Sequence, residues 1–125
     1  MDEATVLVAE DSELVRKLLS EILRDAGYRV VEACDGVETL EKLRGEHVQL
    51  ALMDAGMPRL GGHEAAREIR REYPEVRIVL MSAAFGVAGA MDPAAMGVDG
   101  LLPKPMEPAV LVETVRRTLT LPRPN

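Results

Sequence analysis

Five side chains spread over most of the chain carry groups that could do chemistry together: Glu10, Asp11, Asp54, Ser82 and Lys104. Glu10 and Asp11 follow the apolar run Val6-Leu7-Val8-Ala9, Asp54 follows Leu50-Ala51-Leu52-Met53, Ser82 follows Ile78-Val79-Leu80-Met81, and Lys104 follows Leu101-Leu102-Pro103. Three carboxylates gathered within a few ångströms repel one another and raise their pKa values unless a cation neutralises them. A hard divalent ion meets that need. Mg2+ favours carboxylate and carbonyl oxygens, keeps several waters and commonly shares its site with a phosphoryl group. The lysine ammonium and the hydroxyl are donors of the kind that phosphoryl oxygens require. Asp54 opens the stretch Asp54-Ala55-Gly56-Met57-Pro58-Arg59-Leu60-Gly61-Gly62, a glycine-rich loop whose backbone can approach a ligand closely. A carboxylate in that place can attack phosphorus and become an aspartyl-phosphate. Phosphoryl transfer asks mainly for positioning and charge neutralisation, so this small set of groups suffices.

The five groups converge only if one sheet carries them at one end. Two hydrophobic periods alternate along the chain, the pattern of an α/β domain with a mostly parallel sheet. Continuous apolar runs, as needed by strands covered on both faces, predict strands over Thr5 to Ala9, Tyr28 to Ala33, Val48 to Met53, Val76 to Met81 and Val98 to Leu102. Helices fill the intervals. Leu14, Val15, Leu18, Leu19, Ile22 and Leu23 recur at helical spacing, with Ser12 as cap, Gly27 as stop and a polar face of Arg16, Lys17, Glu21 and Arg24. A second helix starts at Asp35, with Glu38 at capping-box spacing and Val37, Leu40 and Leu43 turned inward. A third runs from Gly62 to Tyr73, where Pro74 stops it. The last begins near Glu107-Pro108 and buries Leu111, Val112, Val115 and Leu119.

The segment from Ala83 to Gly97 is different, because Gly86, Gly89 and Pro93 oppose an unbroken helix. The shorter solution is one turn, with Asp92 as cap, Pro93 first, Ala94-Ala95-Met96 following and Gly97 as stop. A loose loop over Ala84 to Met91 precedes it. In a doubly wound sheet of this kind, ligands bind outside the carboxyl ends of the strands, where the five groups fall.

In this order the motifs resemble the receiver domain of bacterial two-component response regulators, including the chemotaxis regulators, over essentially the whole chain. The resemblance rests on the Glu10-Asp11 pair, the Met53-Asp54-Ala55-Gly56-Met57-Pro58 loop with its later glycine pair, Ser82 at a strand end, and Lys104-Pro105. It implies a flavodoxin-like fold with a five-stranded parallel sheet of order 2-1-3-4-5, helices on both faces, and a cis Lys104-Pro105 peptide. Asp54 would be the phosphoacceptor, served by a histidine kinase or histidine phosphotransfer domain. Asp11, Asp54 and the carbonyl of Gly56 would hold Mg2+, with Glu10 a ligand directly or through water, and Ser82 and Lys104 would contact phosphoryl oxygens. Such a protein signals by conformational change to a downstream protein or attached output domain. It hydrolyses its own phosphoryl group slowly and is not a turnover enzyme.

Three positions depart from the family pattern. Glu10 stands where Asp is commoner, Ser82 stands for Thr, and Leu101, three residues before Lys104, stands where many receivers carry a Tyr or Phe that moves on phosphorylation. Leu101 therefore suggests a different or weaker output through that face, and a receiver fold used only as a protein-interaction module is the competing reading. Phe85 is placed to fill the space of the missing ring.

The remaining features narrow the choice further. The chain has 125 residues, the length of one domain, expected over residues 1–120 with a tail or linker stub at 121–125. Its net charge of -6 and lack of a basic block argue against direct nucleic-acid binding. No apolar run approaches the roughly 18 residues of a membrane span, no leader pattern opens the chain, and a single cysteine, Cys34, permits no internal disulfide, so a cytoplasmic location is expected. His47 and His63 have no second ligand at metal spacing and read as surface residues. An aspartate-nucleophile phosphatase would want D-x-D after the first strand, where Glu10-Asp11-Ser12 stands. A flavin carrier would want a hydroxyl- and glycine-rich loop there.

Overall fold

The computed structural model describes residues 3–84 and 92–122. The elements in chain order are β1 (Thr5–Ala9), α1 (Glu13–Asp25), β2 (Arg29–Ala33), α2 (Gly36–Gly45), β3 (Leu50–Asp54), α3 (Gly62–Glu72), β4 (Arg77–Ser82), β5 (Gly100–Pro103) and α4 (Pro108–Leu119). A single 3-10 turn, Ala94–Met96, lies between β4 and β5. The strands form one parallel sheet of order β2-β1-β3-β4-β5, the doubly wound flavodoxin-like arrangement expected.

The three inner strands β1, β3 and β4 bury both faces, which is why their sequences are continuous apolar runs, whereas the edge strands β2 and β5 are partly exposed. Leu7, Ala51, Met53, Ile78 and Leu80 pack beneath α2 and α3 together with Leu43, Ala65 and Ile69. Val6, Val8, Leu50, Leu52, Val79 and Met81 pack on the other face against Leu19 and Leu23 of α1 and Leu111 and Val115 of α4. The caps follow their expected chemistry: Ser12 Oγ accepts the Val15 N–H and Asp35 Oδ1 accepts the Glu38 N–H. So does the turn at Ala94, with Asp92 Oδ1 accepting the Ala94 N–H and Gly97 stopping the turn at φ 72. The loose loop expected before it and the position of Phe85 fall largely on residues 85–91, outside the described residues.

Several expectations are corrected. The third, fourth and fifth strands lie one or two residues later than their apolar runs, because Val48, Val76 and Val98 are buried in the approach to each strand without joining its ladder. Asp54 and Ser82 thereby become the last residues of β3 and β4 and share the rigidity of the sheet. Leu14 and Leu18 are not core residues: they are 81% and 56% exposed. On α2 the residues buried with Leu43 are Gly36 and Thr39, while Val37 and Leu40 are half-buried. On α4, Val112 and Leu119 are half-buried, whereas Thr114 and Thr118 are buried. Those threonines flank Gly100, where an added Cβ would stand 3.3 Å from Thr118 Oγ1.

Arg16 also leaves the polar face assigned to it and turns toward β2. Its Nε donates to Glu32 Oε1 at 3.2 Å, and Lys17 and Arg24 approach the same carboxylate, so three cations of α1 meet one anion of an edge strand. Burial opposes the Glu32 charge, but the Arg16 hydrogen bond and the Lys17 ammonium outweigh it and hold the carboxyl below the usual glutamate range. A depressed folded pKa makes this contribution to stability whole above the ordinary glutamate range and progressively lost as pH falls through the folded value. Glu32→Gln should therefore flatten the acid limb of the stability profile in urea unfolding measured across acidic pH. Parallel limbs in variant and wild type would contradict the assignment.

Candidate functional site

The carboxyl ends of β1, β3, β4 and β5 form one rim. Beyond β1, the Glu10 N–H donates to the Ala33 carbonyl at 3.0 Å, which fixes the backbone where the acidic pair begins. The Glu10 side chain is 2% exposed, and both its oxygens are engaged: Oε1 by Lys104 Nζ at 2.9 Å and Oε2 by the Ser12 N–H at 3.1 Å. Asp11 is exposed. Asp54 is half-buried at the end of β3, and its Oδ1 takes the same Lys104 ammonium at 3.2 Å. Glu10, Asp11 and Asp54 each offer a carboxylate oxygen within 4.8 Å of the others.

Lys104 follows β5 directly. Its N–H donates to the Ser82 carbonyl at 3.0 Å, and its peptide to Pro105 is cis, as the resemblance implied. Burial works against the ammonium's charge, but the hydrogen bond to Glu10 and the charge of Asp54 outweigh it and raise the lysine above its ordinary range. The lysine therefore already supplies part of the neutralisation that the three carboxylates require.

The other expected residues stand on the same rim. Ser82 ends β4, and its hydroxyl oxygen accepts the Ala84 N–H at 3.0 Å. Gly56 passes beside the Asp54 carboxylate, since a Cβ placed on it would lie 3.9 Å from Asp54 Oδ2. Gly62 is the tight position of the loop: a Cβ there would stand 2.5 Å from the Asp54 carbonyl oxygen and 2.8 Å from Ala55 Cα. Only glycine lets α3 start so close to Asp54.

Two interactions near the rim have no local sequence signature. Arg16 Nη1 donates to the Glu10 carbonyl at 2.8 Å, so the residue that meets Glu32 also steadies the end of β1. Arg59, within the loop after β3, donates from Nε to Asp35 Oδ2 at 2.8 Å. The Arg59 guanidinium and the Glu38 N–H hold the Asp35 carboxyl below the usual aspartate range, against its burial. The only hint in the sequence is the place of Asp35 as a helix cap.

A family model for the response regulator receiver domain matches residues 6–116. The chain belongs to that family. The receiver domain is 31% identical over 113 residues to the chemotaxis protein CheY of Thermotoga maritima, covering 90% of this chain and 94% of that protein. Among solved structures it is similar to CheY4 of Vibrio cholerae, with a TM-score of 0.85 and 31% identity over 94% of this chain and 99% of that one. It also matches the receiver domain of a Pseudomonas aeruginosa PAO1 sensor histidine kinase, which has a magnesium ion coordinated in its active-site cleft, with a TM-score of 0.85 and 26% identity over 96% and 100% of the two chains. The chain spans half or less of the length of other curated relatives it matches, 49% in the case of ycf27 of Porphyridium aerugineum and 12% in that of the sensor kinase CckA of Brucella abortus. Receiver domains are signalling modules that interact with histidine kinases and output domains. No helix among the described residues is long and apolar enough to cross a membrane.

The donor set of this receiver suits Mg2+: it is anionic and all-oxygen, and exposed Asp11 leaves part of it open to solvent. The ammonium of Lys104 competes with such an ion for two of the same carboxylates. Lys104→Met should therefore bind Mg2+ several-fold more tightly than wild type by calorimetric titration, and should be less stable without the ion. Unchanged or weaker Mg2+ binding would contradict the competition.

Proposed function

We propose that Asp54 is the phosphoacceptor of a two-component relay and takes its phosphoryl group from a phosphohistidine of a histidine kinase or histidine phosphotransfer domain. The observation that carries this reading is the Lys104 ammonium shared between Glu10 and Asp54, with Asp11 beside them. A carboxylate oxygen of Asp54 attacks phosphorus, the bond from phosphorus to the imidazole nitrogen breaks, and its electron pair returns to the imidazole, which then takes a proton. Lys104 exchanges a carboxylate oxygen for a phosphoryl oxygen, and the Ser82 hydroxyl donates a hydrogen bond to another. Mg2+, held by Asp11, Asp54 and the Gly56 carbonyl with Glu10 as a nearer or outer ligand, would neutralise charge on the phosphoryl oxygens. Water attack at the same phosphorus later restores the Asp54 carboxylate slowly, so the domain acts as a timed signal and not as a turnover enzyme. The signal passes to a downstream protein or attached output domain, in a cytoplasmic setting and without direct contact to nucleic acid or membrane.

The exposed leucines of α1 support the phosphodonor as docking partner. Leu18, Val15 and Leu19 line an apolar groove with Pro105 and Met106, and Lys104 forms part of its wall. An amphipathic helix seated there would bring a histidine on its surface to the rim. Incubation with acetyl phosphate and Mg2+ should add one phosphoryl group by intact mass, and Asp54→Asn should abolish the gain. Leu14→Asp with Leu18→Asp should slow transfer from a phosphohistidine protein while leaving acetyl phosphate labelling intact. A mass gain that survives in Asp54→Asn would overturn the assignment.

A second reading, an interaction module with weak switching, is favoured by one observation: Leu101 is half-buried against the core beneath α2 and α3 and has no ring hydroxyl to report with. On this reading, beryllofluoride with Mg2+ should produce only small amide shifts across β5. Large shifts across β5 and the turn before it would remove that reading.

A further inference from the structure

The loop between β3 and α3 is pinned at its middle by a different element, the start of α2. Leu60 N–H donates to the Pro58 carbonyl at 2.7 Å, which closes a three-residue turn with Arg59 at its centre. Arg59 has φ 65, and it is the only non-glycine residue at positive φ among the described residues. A left-handed central residue in such a turn is rare and strained, and strain of this kind persists only where the surroundings over-determine it. Two contacts with α2 do so. Arg59 Nε donates to Asp35 Oδ2, and Asp35 is itself fixed because its Oδ1 caps α2 at the Glu38 N–H, 2.8 Å away. The next residue, Gly36, lies so close to the loop that a Cβ there would stand 2.2 Å from the Leu60 carbonyl oxygen.

Both ends of this loop lie at the site. Gly56 passes beside the Asp54 carboxylate, and the Gly62 N–H donates to the Ala55 carbonyl at 3.0 Å. A backbone carbonyl can serve as a metal ligand only if its peptide is held in orientation, and groups behind first ligands commonly set metal affinity. We infer that the Arg59–Asp35 pair is a latch between α2 and the β3–α3 loop, and that Arg59 is a positioning residue for Mg2+ and phosphoryl binding at Asp54. The inference rests on the phosphoacceptor reading above and adds a residue outside the rim. The buried carboxylate fixes the guanidinium, the guanidinium fixes the turn, and the turn fixes the peptides that precede it. Arg59 makes this bond through Nε while its side chain remains 60% exposed, so the latch can be removed without opening the core.

The test uses the full chain with Arg59→Gly, Arg59→Ala, Arg59→Lys and Asp35→Asn. Glycine relieves the positive φ and asparagine keeps the helix cap, so neither loss of a bond is confounded with new strain or a lost cap. Two readouts apply: amide hydrogen exchange at Leu60 and Gly62 without metal, and calorimetric titration with Mg2+ alone. Arg59→Gly, Arg59→Ala and Asp35→Asn should each speed exchange at both amides and weaken Mg2+ binding about tenfold, with Arg59→Lys recovering part of the loss. If wild type binds Mg2+ and the glycine variant matches it in affinity and exchange, differing only in its unfolding midpoint, Arg59 is a turn residue and the latch is wrong. A wild-type chain that binds no Mg2+ and takes no phosphoryl group from acetyl phosphate overturns the phosphoacceptor reading itself, and the metal role of the latch with it.

Discussion

The site depends on one ammonium placed between two carboxylates. Lys104 reaches Glu10, 94 residues away, and Asp54, 50 residues away, and so joins the end of β5 to those of β1 and β3 across the sheet. Without it, three acids would stand together on a rim that buries one of them almost completely. With it, a positive charge stands against two of the three acids in the resting protein. The same repulsion that makes the cluster costly suits it to a divalent cation, which would add positive charge beyond what the lysine supplies alone.

Sheet geometry turns this electrostatic problem into a structural one. In a parallel sheet the carboxyl ends of neighbouring strands lie side by side, so residues following separate apolar runs meet without local sequence contact. Because Asp54 and Ser82 are the final residues of their strands, both are held by ladder pairing to the neighbouring strands. Lys104 is tied to Ser82 through the backbone. Glycine at position 62 allows α3 to begin against Asp54, and Arg16 steadies the Glu10 carbonyl from α1. Each neighbouring element thus contributes one restraint to the rim.

The fold was legible because strands covered on both faces must be continuous apolar runs, and because Ser12, Asp35 and Asp92 carry cap chemistry that acts within three residues. The rim was legible because acids, a hydroxyl and a lysine at the ends of such runs add nothing to the core, and the parallel sheet brings those ends together. What was not legible depends on distant partners. Helical periodicity assigns Leu14 and Leu18 to a face but cannot say how little of the described fold covers them. Arg16 reads as a surface residue until Glu32 and the Glu10 carbonyl are placed beside it. Burial without ladder pairing shifted the strand boundaries at Val48, Val76 and Val98. The Arg59–Asp35 pair spans 24 residues and leaves no mark in either local pattern.

On the proposed function, the Asp54 carboxylate itself becomes the acyl phosphate. Borohydride reduces an aspartyl-phosphate to homoserine and leaves a free carboxylate untouched, so the chain treated with acetyl phosphate and Mg2+, then with borohydride, records the modified residue permanently. Peptide mass mapping should find homoserine at position 54 and aspartate at position 11. Homoserine at position 11, or an unmodified residue at 54 in a chain that has gained a phosphoryl group, would contradict the account.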